Sequence, residues 1–466
     1  MLPDLTVPTP TPTPTPTVPA QRSGSVLPDI TVPTATVPAQ RGGTRAGPTV
    51  ARALDAVRPD RLIALLQEML SVPSVTGSAA ESDAQHQLAR HLDANALDTD
   101  LWSIDLPTAL SDPDFPGLEA PRDEAYGLVG TWHGTDPDAP TLVLNGHIDV
   151  VPTGDPAAWT EQPWAGVIRG GSVHGRGACD MKGGLACQVV ALQALREAGV
   201  RLRGSVQLQS VVGEEDGGLG TFATLRRGYR GDLAVVCEPT SANLVTANAG
   251  ALTFRLNVPG LAVHASVRDH GVDAIEKYLL VHAALRDLEA RRNADPHRLM
   301  QHLTLPYPLS IGTVRAGDWA SSVPDLLVAE GRLGVALGEP VADARADLQR
   351  TLDEVCAADP WLAEHPVRLE WVGGQFGSSL LADDAPLVSA VVGAHHRLTG
   401  RTPTVEGAPW GSDIRLLTDL GGIPALHYGP GDVRKAHGPA ESVPVADLVT
   451  VTRTLVMLIA GTCGAS

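Results

Sequence analysis

The chain has 466 residues, enough for more than one hydrophobic core, and its 43% apolar and 19% charged content is typical of globular proteins. Acidic residues outnumber basic ones by 53 to 35, and the formal charge of −18 argues against nucleic acid as a partner. No apolar stretch approaches the ~20 residues of a membrane span, so we expect no membrane partner. The five scattered cysteines are typical of a reducing cytoplasm rather than of a disulfide framework.

The first fifty residues differ in composition from the rest of the chain. They contain "TVPTPTPTPTPTVPAQR" and a looser repeat, "LPDITVPTATVPAQR". Proline at every second position removes backbone donors and excludes helix, and the segment holds too little apolar mass for a core. We therefore predict a disordered, partly polyproline-like tail over residues 1–50, with no apolar region of a secretory signal. Either a spacer or a start codon assigned too early would explain it.

Helix and strand patterns alternate from about Val57 onward. The segment "PDRLIALLQEMLSV" has apolar residues at helical spacing, and apolar strands are predicted at 141–148, 205–212 and 233–237. Between the first two strands, "GGLACQVVALQALREAG" predicts a helix that ends at Gly199. Strands that alternate with helices and are apolar along their whole length indicate an α/β domain with a mostly parallel sheet.

The pattern changes near residue 246. The segments "ALTFRLNV", "LVAEGRLGVAL" and "VRLEWV" are alternating strands, and helices are predicted near 271–292 and 341–357. The α/β pattern returns after about residue 375, where "GGIPALHYGPG" predicts a strand and a turn. We therefore predict a smaller α+β unit inserted into the first domain, with the boundaries 51–245, 246–374 and 375–466 for the first part, the insertion and the second part.

Acidic and imidazole side chains stand where the predicted strands end. His147 and Asp149 close the first strand, and the others are Asp180 in "HGRGACDMKGG", Glu214 and Glu215 in "VVGEEDGG", Glu238 in "VVCEPT" and His437 in "YGPGDVRKAHGPAE". Ligands of open α/β sheets collect at the carboxyl ends of the strands. Each residue alone has an ordinary explanation as a cap, a turn or a packed histidine. Several unpaired carboxylates in one cleft would repel each other, and a bound cation would relieve that repulsion.

This inventory suits a dinuclear metal site. Two histidines and three carboxylates give five ligands, and with one bridging carboxylate each metal receives three, which leaves a position for water as in catalytic zinc sites. One further carboxylate is needed to take the proton of the water, so Glu214 and Glu215 supply both a ligand and a base. The chain contains no G-x-S-x-G elbow, no H-E-x-x-H helix and no P-loop. The motifs of serine hydrolases of the elbow type, of H-E-x-x-H metalloproteases and of P-loop enzymes are therefore missing.

Six motifs in order carry a family resemblance: NGHIDVVP, GRGACDMKGG, GEED, CEPT, GLAVHAS and AHGPAE. From about residue 57 to 460 the chain resembles the aminoacylase, acetylornithine deacetylase, succinyl-diaminopimelate desuccinylase and carboxypeptidase G family of dinuclear metallohydrolases. The resemblance implies that the inserted unit is a lid and dimerisation domain and that the protein is a homodimer. It also implies two divalent metal ions per chain as cofactors, zinc or cobalt.

The resemblance also assigns the metal ligands. It implies that one ion is held by His147 and Glu238, the other by Glu215 and His437, and that Asp180 bridges the two.

Further roles follow from the same resemblance. It implies that Glu214 is the general base and acid, and that Asp149 orients the ring of His147. His264 would reach across a dimer interface to stabilise the developing oxyanion, and Arg332 would pair with a substrate carboxylate. The chain departs from the family at Ser322, where asparagine is common, and this departure predicts an altered substrate contact.

The expected activity is hydrolysis of an amide. The resemblance implies removal of the acyl group from an N-acyl amino acid by attack of a metal-bridging water, as in acetylornithine deacetylase. A dipeptidase or carboxypeptidase activity of the same family is the alternative, with a short peptide as the substrate. A hypothesis of another class is a non-catalytic paralogue that binds metal or ligand, which would be expected to lack the base or a bridging ligand.

Overall fold

The structure is a computed structural model that describes residues 47–465. Most of the predicted N-terminal tail therefore lies outside the described residues. The first helix begins at Pro48 and buries Val50, so the prediction that the tail extends to residue 50 is wrong at its end. A proline in the first turn suits a helix start because its missing N–H has no intrahelical partner there.

Eleven helices and sixteen strands follow one another in the described residues. The helices are α1 (Pro48–Ala56), α2 (Pro59–Leu70), α3 (Ala79–Ala94), α4 (Leu106–Ser111), α5 (Lys182–Glu197), α6 (Leu219–Arg226), α7 (Ala274–Arg292), α8 (Val341–Ala358), α9 (Pro360–Glu364), α10 (Pro386–Thr399) and α11 (Val445–Thr462). The strands are β1 (Asp98–Ser103), β2 (Tyr126–Trp132), β3 (Leu142–His147), β4 (Val167–Arg169), β5 (Ser172–His174), β6 (Val206–Val211), β7 (Leu233–Val236), β8 (Leu244–Asn248), β9 (Gly250–Pro259), β10 (Leu309–Ala316), β11 (Leu326–Val335), β12 (Arg368–Phe376), β13 (Ser379–Leu380), β14 (Val405–Ala408), β15 (Ala425–His427) and β16 (Ser442–Pro444).

A nine-stranded sheet forms the centre of the fold. Its order is β1-β2-β6-β3-β7-β15-β8-β13, and β14 pairs with β8. The four central strands β6, β3, β7 and β15 are parallel, whereas β1, β2 and β13 pair antiparallel with their neighbours. All six residues of β3 are buried, as expected for a parallel strand that is covered on both faces. The predicted α/β class with a mostly parallel sheet is confirmed.

The helix α5 is the main helix against this sheet. It packs on β3 and contacts α2 and α11, and almost all of its residues from Lys182 to Leu195 are buried. The last helix, α11, is long and apolar enough to cross a membrane by length and composition, contrary to the expectation that no segment is. Its residues Val451, Leu455 and Ile459 are fully buried against the rest of the protein, which is typical of a core helix.

Residues 250–376 carry a second sheet, which is antiparallel throughout and has the order β10-β11-β9-β12. Helices α7 and α8 pack around a separate hydrophobic core that includes Phe254 and Leu285. After β12 the chain returns to the nine-stranded sheet through β13, β14 and β15. The predicted limits of the insertion, 246 and 374, fall inside β8 and β12. We call residues 250–376 the lid below.

Candidate dinuclear metal centre

Neighbouring parallel strands deliver the candidate residues to one edge of the central sheet. His147 is the last residue of β3, Glu214 and Glu215 follow β6, and Glu238 follows β7. Because these strands are parallel, their carboxyl ends meet at the same edge, where ligands of α/β sheets bind. His437 comes from the loop between β15 and β16.

Two groups of three side chains converge there and share one member. The ligand atoms of His147, Asp180 and Glu238 lie within 4.8 Å of one another, and so do those of Asp180, Glu215 and His437. The Oδ1 atom of Asp180 is 3.1 Å from Nε2 of His147, and its Oδ2 atom is 3.4 Å from Nε2 of His437. The two oxygens of one carboxylate thus face two different histidines, which is the arrangement of a bridging ligand.

The charges of this cluster fit divalent cations. Burial and the charge of Asp180 raise the pKa of Glu238 and of Glu215, and burial raises the pKa of Glu214. Bonds to Asp180 and Glu215 raise the pKa of His437 to about 10. Buried carboxylates that repel one another must be neutralised by protons or by metal ions. Two imidazoles and three carboxylates are also a donor set that zinc prefers, so the residues present fit two such ions.

The carboxylate of Asp149 does not bond the ring of His147, although the resemblance implies that it orients that ring. Nδ1 of His147 lies 2.9 Å from the backbone carbonyl of Asp149, whereas the nearer carboxylate oxygen is 3.7 Å away. A carbonyl only accepts, so Nδ1 carries the proton and Nε2 faces the metal position. The Asp149 carboxylate instead accepts the N–H groups of Glu214 and Glu215, each at 3.3 Å, and the Thr76 hydroxyl at 3.0 Å. Because β3 ends at His147, strand alternation does not extend to Asp149.

We expect Asp149→Ala to lower metal affinity or kcat by about 10- to 100-fold, because the N–H groups of both glutamates lose their acceptor. The control is Thr76→Val, which removes only the hydroxyl that donates to the same carboxylate. Steady-state kinetics and thermal unfolding are measured on both variants. A loss confined to the unfolding temperature, with kcat unchanged, would show that Asp149 acts through packing alone.

The loop that carries Asp180 is held by a pair of residues that sequence reasoning missed. Oε1 of Glu441 accepts the backbone N–H groups of Gly177, Cys179 and Asp180 at 2.9, 3.0 and 3.2 Å. Its Oε2 forms a buried ion pair with Arg176. Both residues stand inside the motifs "HGRGACDMKGG" and "AHGPAE", but their pairing across 265 positions has no signal in one sequence.

The metal candidates open onto a cavity of about 700 Å³ between the central sheet and the lid. Arg332, in the lid, lies on its wall. Other lining residues come from the lid and from the domain of the central sheet: Glu119, Asp180, Glu214, Glu215, Glu238, Thr253, Ser310, Thr313, Glu330, Phe376, Trp410 and His437. His264 is not among the lining residues. It is exposed, its Nδ1 bonds to Ser266, and its backbone pairs with Ser322. A single chain therefore does not bring His264 to the other candidates.

Curated relatives match the chain over most of its length. It is 31% identical over 408 residues to a succinyl-diaminopimelate desuccinylase of Methylobacterium nodulans. The matched region covers 84% of this chain and 93% of that protein. The chain is 28% identical over 428 residues to an N-formyl-4-amino-5-aminomethyl-2-methylpyrimidine deformylase of Halalkalibacterium halodurans, covering 87% of this chain and 95% of that protein.

Solved structures share the fold at lower identity. Human carnosine dipeptidase 1 superposes with a TM-score of 0.70 at 13% identity, covering 90% of this chain and all of that one (100%). A tripeptidase of Staphylococcus aureus superposes with a TM-score of 0.66 at 22% identity, covering 87% and 99%. The sequence model of Peptidase family M20/M25/M40 matches residues 143–461, which include every candidate metal ligand. The chain therefore belongs to peptidase family M20/M25/M40, a family of metal-dependent hydrolases of amide bonds.

Proposed function

We propose that the protein removes the acyl group from a small N-acyl amino acid or a related N-acyl amine. The observation that carries this proposal is the double group of ligand atoms that share Asp180, with Glu214 on the wall of the same cavity. The volume of about 700 Å³ suits a small-molecule substrate. An acetylornithine-type substrate is the first candidate, and a short peptide cut by a dipeptidase or carboxypeptidase is the second.

The five ligands divide between two metal positions in this proposal. His147 and Glu238 would hold one ion and Glu215 and His437 would hold the other. Asp180, the member shared by both groups of ligand atoms, would be a ligand of both. When bound, two divalent ions such as zinc or cobalt polarise the amide carbonyl and lower the pKa of a water molecule. The protein orients the ligand side chains themselves. The hydrogen bond from Nδ1 of His147 to a backbone carbonyl fixes the ring of that histidine, and Glu441 binds the backbone of the loop that carries Asp180.

Glu214 moves the proton in this mechanism. Its side chain lines the cavity, its backbone N–H donates to Asp149, and it belongs to neither group of ligand atoms. It takes a proton from the attacking water and passes it to the leaving nitrogen, which then departs as an amine. Burial raises the pKa of Glu214, and the charge of His147 opposes that rise.

The wall of the cavity suggests what the substrate carries. Arg332 is a fork of donors that fits a carboxylate, and Glu119 is an acceptor that fits an amine. Glu330 also lines the cavity but is already paired with Arg255 at 2.7 Å. Relatives that match most of the chain at 28% and 31% identity are a deformylase and a desuccinylase, both of which by name remove an acyl group. The peptidases among the solved structures share less than 25% identity, so they support the fold alone. This difference ranks deacylation above peptide cleavage.

A substrate screen tests the proposal. The protein is loaded with zinc or cobalt and offered N-acetyl, N-formyl and N-succinyl amino acids, a formylated aminopyrimidine and a set of dipeptides. We expect turnover of at least one N-acyl compound above all dipeptides. Cleavage of dipeptides alone would favour the second candidate. A protein that holds two ions and cleaves nothing would instead be a binding paralogue.

We also propose a homodimer in which His264 completes the site of the partner subunit. The lid leaves an apolar surface uncovered, since Ile275, Leu279 and Leu280 on α7 are 44%, 60% and 46% exposed. Trp319, next to the edge strand β10, is 74% exposed. Exposed apolar surface of this kind marks a protein interface.

Complementation between two inactive chains tests this arrangement. Chains with His264→Ala and chains with Glu214→Gln are co-expressed with different tags, and the mixed dimer is purified on both tags. If His264 acts across the interface, one of the two sites contains both residues, and we expect about half of the wild-type turnover per dimer. If His264 acts within its own chain, neither site is complete and the mixed dimer stays inactive. The two single-variant dimers are the controls.

A further inference from the structure

One segment without regular secondary structure runs between the lid and the candidate metal centre. We call residues 112–122, which follow α4, the strap. One end is tied to α6, because Arg226 forms ion pairs with Asp112 at 2.8 Å and with Asp114 at 2.7 Å. These pairs are partly exposed to solvent, and none of their three residues lines the cavity at the candidate metal centre.

The middle of the strap contacts the lid. The carbonyl of Pro116 accepts the N–H of Gln375 at 3.1 Å. Oε1 of Glu119 accepts the hydroxyl of Thr253 at 2.9 Å and the N–H of Gly374 at 3.2 Å. Glu119 also lines the cavity, so this part of the strap joins the lid beside the substrate position.

The other end of the strap contacts the loop that follows β6. Oδ2 of Asp216 accepts the N–H of Ala120 at 3.0 Å and a guanidinium N–H of Arg122 at 2.9 Å. A second nitrogen of Arg122 lies 3.8 Å from Oε2 of Glu81. The side chains of Arg122, Glu81 and Asp216 are only 1%, 3% and 5% exposed, so this charge network is shielded from water.

Every residue of the loop 213–216 is held by a buried charged group. Gly213 donates its N–H to Glu81 at 3.1 Å, and it packs so closely on the guanidinium of Arg122 that a side chain there would collide with it. The N–H groups of Glu214 and Glu215 donate to the carboxylate of Asp149, and the carboxylate of Asp216 accepts from the guanidinium of Arg122. Arg122 therefore bonds Asp216 and lies near Glu81, which are two of the three carboxylates that hold this loop; the third is Asp149.

We propose that Arg122 is a positioning residue for the metal centre, which acts by fixing the loop that presents Glu214 and Glu215. The inference rests on the proposed roles of these two glutamates and adds a residue from a distant part of the chain. A planar guanidinium suits this place because its fork bonds Asp216 with one nitrogen while another faces Glu81. Burial and the charge of Asp149 raise the pKa of Glu81 to about 8, and Arg122 opposes that rise. The guanidinium therefore favours the carboxylate that accepts the N–H of Gly213.

The test compares Arg122→Met with Arg226→Met, which breaks the ion pairs at the opposite end of the same strap. Three quantities are measured for each: zinc affinity by competition with a chelator, kcat and KM on a cleaved substrate, and thermal unfolding. For Arg122→Met we expect zinc affinity or kcat to fall by about 10- to 100-fold with KM changed less than about threefold. For Arg226→Met we expect zinc affinity and kcat within about twofold of the wild type.

Arg122→Lys serves where the methionine variant does not fold. It keeps the charge but loses the fork, so we expect zinc affinity and kcat between those of the wild type and of Arg122→Met, with a smaller loss of unfolding temperature. Zinc affinity and kcat that stay within twofold in both Arg122 variants would overturn the inference. So would equal losses in the Arg122 and Arg226 variants. Zinc affinity can be measured without any substrate. If the protein showed no turnover, the proposed function would be wrong, but the effect of Arg122 on zinc affinity would still test this inference.

Discussion

Glu214→Gln is expected to lower kcat by about a hundred- to ten-thousandfold while the protein still binds two metal ions. The amide of glutamine keeps the shape of the side chain but cannot take a proton from water or return it to the leaving nitrogen, and general acid and base catalysis contributes about this much. Glu214 belongs to neither group of ligand atoms, so metal content is not expected to change. The measurement is kcat at saturating substrate, together with metal analysis of the same sample.

The matched control is Glu215→Gln, the neighbouring glutamate, which does belong to a group of ligand atoms. We expect this variant to lose part of its metal as well as its turnover. If Glu214→Gln lost metal and Glu215→Gln did not, the roles of the two glutamates would be exchanged. If Glu214→Gln kept kcat within tenfold of the wild type, the proposed mechanism would be wrong.

Asp180→Asn is expected to abolish turnover and to reduce the metal content from two ions per chain to one or none. Asp180 is the member shared by both groups of ligand atoms, and each of its oxygens faces a different histidine. Asparagine offers one weaker oxygen donor, so it cannot bridge. Metal that binds only the folded state stabilises it, by about 2.7 kcal/mol at a hundred times the dissociation constant. The wild type is therefore expected to unfold at a higher temperature in zinc than in chelator, and the variant to lose most of that difference.

Asp432→Asn controls for a general effect of removing a carboxylate near the site. Its carboxylate pairs with Arg434 and belongs to neither group of ligand atoms. We expect this variant to keep two ions and its zinc-dependent rise in unfolding temperature. A wild-type protein without any bound metal after zinc loading would contradict the proposed centre altogether.

The placement of the candidate metal ligands could be predicted because motif and topology agree. Apolar strands that are followed by acid or imidazole deliver those side chains to one sheet edge, whatever the details of the loops. The structure accordingly places His147, Glu215 and Glu238 at that edge, and loops bring Asp180 and His437 to the same place. The predicted strands at 141–148 and 205–212 correspond to β3 and β6 within a residue or so at each end.

The supporting contacts could not be predicted from the sequence, for physical reasons that differ. The resemblance implies that Asp149 orients the ring of His147, but the strand ends at His147 and the Asp149 carboxylate turns to the loop after β6. The Arg122–Asp216 and Glu81–Gly213 contacts join segments that are 94 and 132 positions apart. Such pairings depend on how helices and loops pack, and an arginine or glutamate in a polar segment gives no sign of burial.

The sharing of Asp180 has a consequence for the order in which the centre is assembled during synthesis. His147, Asp180 and Glu238 all precede the lid in the chain, so one group of ligands has been translated in full before the first lid strand, β9. The other group waits for His437, which lies 222 positions after Glu215 and beyond the whole lid. A growing chain therefore carries one complete set of ligands early, and the second metal position exists only after the whole lid has been translated.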